Sequence, residues 1–139
     1  MEFLIDSSLW IDFTRRKSPP ALKAQVLPWI VKRESVTCDI VVFEVMRNAA
    51  KDERRGLTAQ FQTVPVLESP ESLWEDAAKL GQACRDGGFS IGPLDILIAS
   101  VALHHGAEVV TFDGDYALIA KVSSLKVHLL ERVAQSRAR

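Results

Sequence analysis

The sequence has few cysteines and no long apolar segment, and both shortages limit what the protein can be. It contains two cysteines in 139 residues, Cys38 and Cys84, which lie in apolar periodic segments and are expected to be reduced core residues. The longest apolar runs, at residues 40–43 and 96–103, are far shorter than the roughly 20 residues that span a bilayer. The first residues also lack a basic signal segment. We expect a cytoplasmic protein without a membrane anchor.

An excess of positive charge is missing as well. The chain has 17 Lys and Arg against 18 Asp and Glu, a formal net charge of -1, so nucleic acid would have to bind a local basic patch. Hydrophobic residues make up 47% and charged residues 25%, as in ordinary folded domains. The length fits one core. We predict a single domain over residues 1–131 and a polar C-terminal tail over residues 132–139.

Short apolar segments alternate with segments of helical periodicity along the chain. Strands are predicted at residues 2–5, 36–38, 64–67, 108–112 and 126–130. Helices are predicted at residues 7–13, 22–30, 40–50, 52–62, 70–85, 93–105 and 116–122. Ser7 and Ser8 are expected to cap the first helix and Asp39 the third. Parallel strands require such crossovers, so the pattern predicts an α/β fold with a mostly parallel sheet of four to five strands.

Four acidic residues stand where this sheet would place a functional site. Asp6 and Asp113 end strands, and Glu44 and Asp95 lie early in helices; all four can face the carboxyl edge of the sheet. Each pair of carboxylates 4 Å apart would repel by about 4 kcal/mol at an effective dielectric near 20. A hard divalent ion such as Mg²⁺ or Mn²⁺ relieves this repulsion and also binds phosphate oxygens. The acids therefore indicate hydrolysis of phosphodiesters.

The contexts of these acids resemble those of a known family. Asp6 is followed by two serines, Glu44 lies in Ile-Val-Val-Phe-Glu-Val, Asp95 in Leu-Asp-Ile-Leu-Ile-Ala, and residues 111–116 read Thr-Phe-Asp-Gly-Asp-Tyr. In this order they resemble the motifs of VapC-type PIN domains, the toxin ribonucleases of bacterial toxin–antitoxin systems. The resemblance runs from residue 3 to about residue 127. Ser7 stands where that family commonly has Thr, and Tyr116 where it commonly has Phe.

The resemblance implies a three-layer α/β/α PIN-like fold and a metal-dependent endoribonuclease. It implies that Mg²⁺ or Mn²⁺ is held by Asp6, Glu44, Asp95 and Asp113, with a secondary role for Asp115. The implied substrate is RNA. The implied partners are a second copy of the chain, forming a homodimer, and a VapB-type antitoxin whose tail enters the acidic pocket.

Polar and basic neighbours of the acids fit the same interpretation. Thr111 points to the same face as Asp113, and we expect its hydroxyl to orient a carboxylate, as Ser8 would for Asp6. Asn48 lies one helical turn beyond Glu44, near the mouth of the site. Two basic groups are expected to rim the pocket and bind RNA. They comprise Arg15, Arg16 and Lys17 after the first helix, and Arg47, Lys51, Arg54 and Arg55 in and after the third.

Each feature also has an ordinary explanation. Asp6 can cap a helix, Asp95 can interact favourably with the positive end of a helix dipole, and Asp113 can form a turn. Glu44 is harder to explain, because it interrupts an apolar helix. His104 and His105, in the last turn of a helix, are expected to be structural. The three tryptophans are expected to be core or dimer-interface anchors.

Three other functions remain alternatives to a nuclease. The first is a non-catalytic PIN-like binding module, which would be expected to lose its costly buried acids. A phospho-acceptor receiver domain would need paired acids near the first strand, and a haloacid-dehalogenase-like phosphatase would need Asp-x-Asp there. Here Asp113-Gly114-Asp115 follows the fourth strand, so both fit poorly.

Overall fold

The computed structural model describes residues 1–133 and forms five strands and seven helices within them. In chain order the elements are β1 Phe3–Ile5, α1 Ser7–Thr14, α2 Pro20–Ile30, β2 Ser35–Cys38, α3 Asp39–Asn48, α4 Arg54–Phe61, β3 Val66–Leu67, α5 Leu73–Asp86, α6 Pro93–His105, β4 Glu108–Thr111, α7 Asp115–Lys121 and β5 Val127–Leu129. The alternation predicted from the sequence is confirmed.

The five strands form one sheet in the order β3-β2-β1-β4-β5, and every pair is parallel. Phe3 in β1 is in register with Ser35 in β2 on one side and with Glu108 in β4 on the other. The chain thus builds outward from β1 in both directions. This reversal opens a crevice at the carboxyl end of β1, where open α/β sheets place their sites.

Helices cover the sheet on both sides. Parallel crossovers are right-handed, so α1 to α4, which lead from β1 toward β3, lie on one face, and α5 to α7 lie on the other. Phe3 packs edge-on against Trp29 of α2, with ring centroids 5.5 Å apart. Leu4, Ile5, Val109 and other strand residues are fully buried between the layers. This is the predicted three-layer α/β/α arrangement.

Several element ends differ from the prediction. Asp39 is the first residue of α3, and the cap position falls to Cys38 without a side-chain hydrogen bond, so the prediction of Asp39 as the cap is wrong. The strand predicted over residues 64–67 contains only Val66 and Leu67, because Pro65 has no N–H for the sheet. Helices α4 and α5 begin at Arg54 and Leu73, two and three residues later than predicted.

The cysteines and tryptophans differ in how far they are buried. Cys38 and Cys84 are free and buried, as predicted. Trp10 is fully buried against Phe61, with ring centroids 4.5 Å apart. Trp74 is 72% exposed, so it is not a core residue of the single chain.

The start of the predicted tail lies against the helical layer. Arg132 Nε donates to Asp12 Oδ2 of α1 at 2.6 Å, and the Val133 N–H donates to Gln25 Oε1 of α2 at 3.0 Å. Residues 134–139 lie outside the described residues, and the domain boundary at residue 131 stays a prediction. Over the described range, no helix combines the length and apolar character needed to cross a membrane.

Candidate active site

Asp6 follows the carboxyl end of the central strand β1 and is the N-terminal cap of α1. It is 2% exposed, and its Oδ2 accepts the backbone N–H of Ser8 at 3.3 Å. The prediction that Ser7 and Ser8 cap α1 is wrong, because Asp6 precedes them with extended backbone angles and takes the cap position. A carboxylate there is also stabilised by the positive end of the helix dipole. Asp6 is therefore fixed in place by the fold itself.

Two hydroxyl groups connect Asp6 to the end of β4. Thr111 Oγ1 donates to Asp6 Oδ2 at 2.8 Å and accepts the backbone N–H of Asp113 at 2.9 Å. Ser8 Oγ lies 3.4 Å from Thr111 Oγ1 and accepts the N–H of Phe112 at 3.1 Å. Thr111 thus orients a site carboxylate, that of Asp6. Ser8 contacts Asp6 through its backbone N–H, while its hydroxyl holds the strand end.

Glu44 reaches the crevice from the middle of α3. It is half-buried, and its Oε1 accepts a hydrogen bond from Ser7 Oγ. The same Ser7 hydroxyl lies 3.3 Å from Asp6 Oδ1, so one proton is shared between two carboxylates. Asn48 uses its amide to donate to the backbone carbonyl of Glu44 at 2.8 Å, which stabilises the last turn of α3.

Asp95 lies in the first turn of α6 and shares a hydroxyl donor with Asp6. Tyr116 Oη lies 3.0 Å from Asp6 Oδ1 and 3.2 Å from Asp95 Oδ1. Burial, and then the negative charges of Asp6 and Asp113, raise the pKa of Asp95 to about 7, although the Tyr116 hydrogen bond acts to lower it. Burial raises the pKa of Tyr116 well above its ordinary value. Its hydroxyl therefore stays protonated and remains a donor.

Asp113 and Asp115 lie together where β4 passes into α7. Asp113 Oδ1 accepts the backbone N–H of Asp115 at 2.9 Å, so this carboxylate also supports the turn that starts α7. Both side chains are half-buried. The turn-forming role considered for Asp113 is thus present, and it leaves the second carboxylate oxygen free of this contact.

The five acids form two groups that share one member. Ligand oxygens of Asp6, Glu44 and Asp95 all lie within 4.8 Å of one another, and so do those of Asp95, Asp113 and Asp115. The two groups are the candidate metal sites of residues 1–133, and neither contains a histidine or cysteine. Asp95 is therefore the acid common to both, and each group offers only oxygen ligands.

A basic cleft of about 320 Å³ lies beside α3. Its lining is Arg15, Arg16, Lys17, Asn48, Ala50, Asp52 and Glu53. Arg16 forms an ion pair with Asp52, which partly neutralises it. The cleft brings one predicted basic group next to Asn48, one helical turn beyond Glu44.

The second predicted basic group is placed differently. Arg47, Lys51, Arg54 and Arg55 are exposed, but none belongs to the lining of the cleft. Arg54 Nε donates to the Ala49 carbonyl at 3.3 Å, a contact that helps begin α4. The RNA-binding role of this group stays a prediction.

Two residues of the site were not singled out from the sequence. Ser7 and Tyr116 supply the hydroxyls that lie between pairs of carboxylates. Ser7 was assigned to capping, and both residues were otherwise noted only as departures from the family pattern. Their contacts span 37 and 110 positions of sequence, so no local spacing points to them.

A larger cavity, of about 480 Å³, lies away from the acids between α5 and α6. Cys84, Phe89 and Ile96 are among its lining residues, and it contains none of the clustered carboxylates. The clustered carboxylates lie instead at the carboxyl edge of the sheet.

The sheet is parallel, has the order β3-β2-β1-β4-β5 and has acidic residues clustered at the carboxyl end of its central strand. These features define a class of α/β proteins with an acidic site that could hold a metal ion. The sequence pattern of the PIN domain family matches residues 3–122. The chain belongs to the PIN domain family.

Individual relatives cover nearly the whole chain. Ribonuclease VapC21 of Mycobacterium tuberculosis is 28% identical over 125 residues, which is 87% of this chain and 88% of that protein. Ribonuclease VapC11 of the same species is 28% identical over 127 residues, covering 88% and 95%. Among solved structures, the VapBC2 complex of Rickettsia felis, bound to a promoter DNA fragment, has a chain that matches with a TM-score of 0.71 at 15% identity, covering 94% of this chain and 100% of that one.

Proposed function

We propose that this protein is a divalent-cation-dependent endoribonuclease that hydrolyses RNA phosphodiester bonds in the cytoplasm as the toxin of a VapBC-type pair. The observation that carries the proposal is the pair of carboxylate groups joined at Asp95. The similarity to proteins named as VapC ribonucleases along almost the full length supports the same conclusion.

The residues present fit a hard divalent ion. Mg²⁺ and Mn²⁺ prefer oxygen ligands, and all the clustered donors are carboxylates. Within residues 1–133, none of the ion pairs joins a basic side chain to one of these acids. Burial, and after it the negative charges of Asp6 and Asp113, raise the pKa of Asp95 to about 7. A cation with two positive charges would offset these negative charges.

We assign the acids to two neighbouring ion positions. Asp6, Glu44 and Asp95 would hold one ion, and Asp95, Asp113 and Asp115 a second. When bound, such ions acidify water and offset the charge that develops on phosphoryl oxygens. Hydrolysis then requires no nucleophile from the protein, and the hydroxyls of Ser7, Thr111 and Tyr116 are instead hydrogen-bonded to carboxylates.

The remaining residues position the acids and the substrate. Thr111 and Ser8 fix Asp6 against the end of β4. Asn48 stabilises the end of α3 behind Glu44 and faces the basic cleft. The cleft is assigned to the phosphates of the RNA, since guanidinium and ammonium groups bind phosphate oxygens through charge-assisted hydrogen bonds.

The partners proposed are a second copy of this chain and a VapB-type antitoxin. Solved structures with this fold include VapBC complexes of Rickettsia felis and Haemophilus influenzae, which supports the pairing. An acidic crevice attracts a basic protein segment as well as a metal ion, so the antitoxin is expected to block the site. Co-expression with a VapB-type antitoxin, followed by an RNA cleavage assay, tests whether inhibition occurs.

The test of the nuclease is cleavage of a mixed RNA pool by purified protein with Mg²⁺ or Mn²⁺, and with EDTA. Asp95→Asn removes a ligand shared by both ion positions while keeping side-chain size. Asp86→Asn alters an exposed acid at the end of α5 and serves as the matched control. Metal-dependent cleavage that is lost in Asp95→Asn and kept in Asp86→Asn supports the proposal. Absence of cleavage by folded, metal-loaded protein free of antitoxin contradicts it and favours a binding module.

A further inference from the structure

The hydroxyl group of Tyr116 lies between two of the clustered acids. Tyr116 is fully buried, and its Oη is 3.0 Å from Asp6 Oδ1 and 3.2 Å from Asp95 Oδ1. The phenol has one proton for two acceptors, so it links the carboxylates of β1 and α6 through a shared hydrogen bond. It is also the only tyrosine in the sequence.

Four hydrogen-bond donors surround the Asp6 carboxylate, and Tyr116 is one of them. Asp6 Oδ1 is contacted by Tyr116 Oη and Ser7 Oγ, and Oδ2 by Thr111 Oγ1 and the Ser8 N–H. The Ser7 and Tyr116 hydroxyls each share their one proton with a second carboxylate, so these contacts orient Asp6 without filling the roughly four lone-pair positions of an ionised carboxylate. Tyr116 is the one donor among them that also contacts Asp95. The orientation of Asp6 relative to Asp95 therefore depends on it.

We propose that Tyr116 is a positioning residue whose hydroxyl holds Asp6 and Asp95 in the arrangement that receives a divalent cation. The inference rests on the proposed metal site. It assigns no contact between Tyr116 and RNA or the reacting atoms. The residue acts through the two carboxylates.

The physical argument is preorganisation of like charges. Asp6 and Asp95 belong to one group of ligand oxygens within 4.8 Å, where two carboxylates repel each other. A neutral donor shared between them offsets this repulsion and keeps both oxygens directed to the same point. Without the hydroxyl the carboxylates are free to separate, and an ion has to bring them together again. Partners of this kind typically change metal affinity by about 10- to 100-fold.

The first test compares Mn²⁺ binding by calorimetry in the wild type, Tyr116→Phe and Ser100→Ala. Phe keeps the buried ring and removes only the oxygen. Ser100 is a buried hydroxyl on α6 that donates to the Ile96 carbonyl at 2.8 Å, so its loss controls for deleting a hydroxyl near Asp95. We expect Mn²⁺ affinity to fall about tenfold in Tyr116→Phe and to stay at the wild-type value in Ser100→Ala. Equal affinity in the wild type and Tyr116→Phe would overturn the proposal and leave the nuclease proposal intact.

The second test needs no variant, so it stands even if Tyr116→Phe fails to fold. Protein labelled with ¹³Cζ-tyrosine has a single signal, which reports the hydrogen bond of Tyr116. Saturating Mg²⁺ is expected to move this signal, because the ion draws charge from both acceptors. A signal that stays in place while calorimetry shows the ion bound would overturn the proposal. Failure of the wild type to bind either ion would overturn the proposed metal site, and the role of Tyr116 with it.

Discussion

The Thr111 hydroxyl donates a 2.8 Å hydrogen bond to Asp6 Oδ2 and joins the carboxyl ends of the neighbouring strands β1 and β4. Both residues are buried, Thr111 fully. An acid follows each of the two strands, Asp6 after β1 and Asp113 after β4, and the two acids belong to different metal-ligand groups. The bond therefore fixes the spacing of the two groups as well as the packing of the sheet edge.

Replacement of Thr111 by Val is expected to lower the free energy of unfolding by about 1–3 kcal/mol. The change removes the donor to Asp6 and the acceptor of the Asp113 N–H, so Asp6 Oδ2 keeps only the Ser8 N–H and the half-buried Asp113 N–H loses its partner. Urea unfolding measures the loss. Thr111→Ser keeps the hydroxyl and is expected to retain most of the stability. Equal losses in the two variants would contradict the role given to the hydroxyl.

The stability of metal-free protein is expected to fall as the pH rises from about 4 to about 7. The pKa of Asp95 is raised from 3.8 to about 7, so in this range the folded protein keeps a proton that the unfolded chain has lost. Stability then decreases with pH, because the folded state binds more protons. Asp95→Asn cannot ionise, so its advantage over the wild type should grow across this range. Unfolding curves in EDTA at several pH values measure it, and an advantage independent of pH would contradict the assignment.

The basic cleft is expected to bind RNA through Arg15 and Lys17. In an Asp95→Asn background, which prevents cleavage, replacing both by Ala should weaken RNA binding and reduce its salt dependence by roughly 0.7 for each phosphate that is no longer neutralised. Lys79, which pairs with Glu75 on α5, provides the control as Lys79→Ala. Fluorescence anisotropy at several salt concentrations measures both quantities. Loss of affinity of the same size in the control would remove the cleft from the RNA-binding surface.

Two glycines, Gly106 at the end of α6 and Gly56 inside α4, test how backbone conformation affects stability. Gly106 ends α6 with φ of 67°, a conformation that costs an L-residue roughly 1–2 kcal/mol, so Gly106→Ala should destabilise the protein by that amount. Gly56 lies inside α4 without positive φ, and a Cβ there meets nothing within 4 Å. Gly56→Ala should therefore stabilise the protein by up to about 1 kcal/mol. Thermal unfolding compares the two, and a change of the same sign in both would contradict the backbone argument.

Much of the fold and the placement of the acids follow from the sequence. Asp6 and Asp113 directly follow apolar strands, and a parallel sheet brings such strand ends to one edge. Glu44 and Asp95 join them because their helices begin at this edge, although Glu44 lies in the middle of α3 and only Asp95 lies in a first turn.

What escaped prediction depends on long-range contacts. Ser7 and Tyr116 bridge carboxylates from distant segments, and neither hydroxyl follows a local pattern. Asp6 was considered as a helix cap beside the two serines, and its carboxylate takes the cap position because it reaches the Ser8 N–H; side-chain propensities alone do not decide between them. Trp74 lies on the outside of α5, although its hydrophobicity suggested burial in the core or at an interface.

The most direct measurement of the central claim compares Mn²⁺ binding with RNA cleavage over the same range of Mn²⁺ concentration. If the clustered acids form one metal-dependent nuclease site, cleavage rate and metal occupancy rise together in the wild type, and both are strongly reduced in Asp95→Asn but unchanged in Asp86→Asn. Cleavage that persists in EDTA, or that survives in Asp95→Asn after metal binding is abolished, would contradict the claim and place the nuclease activity elsewhere.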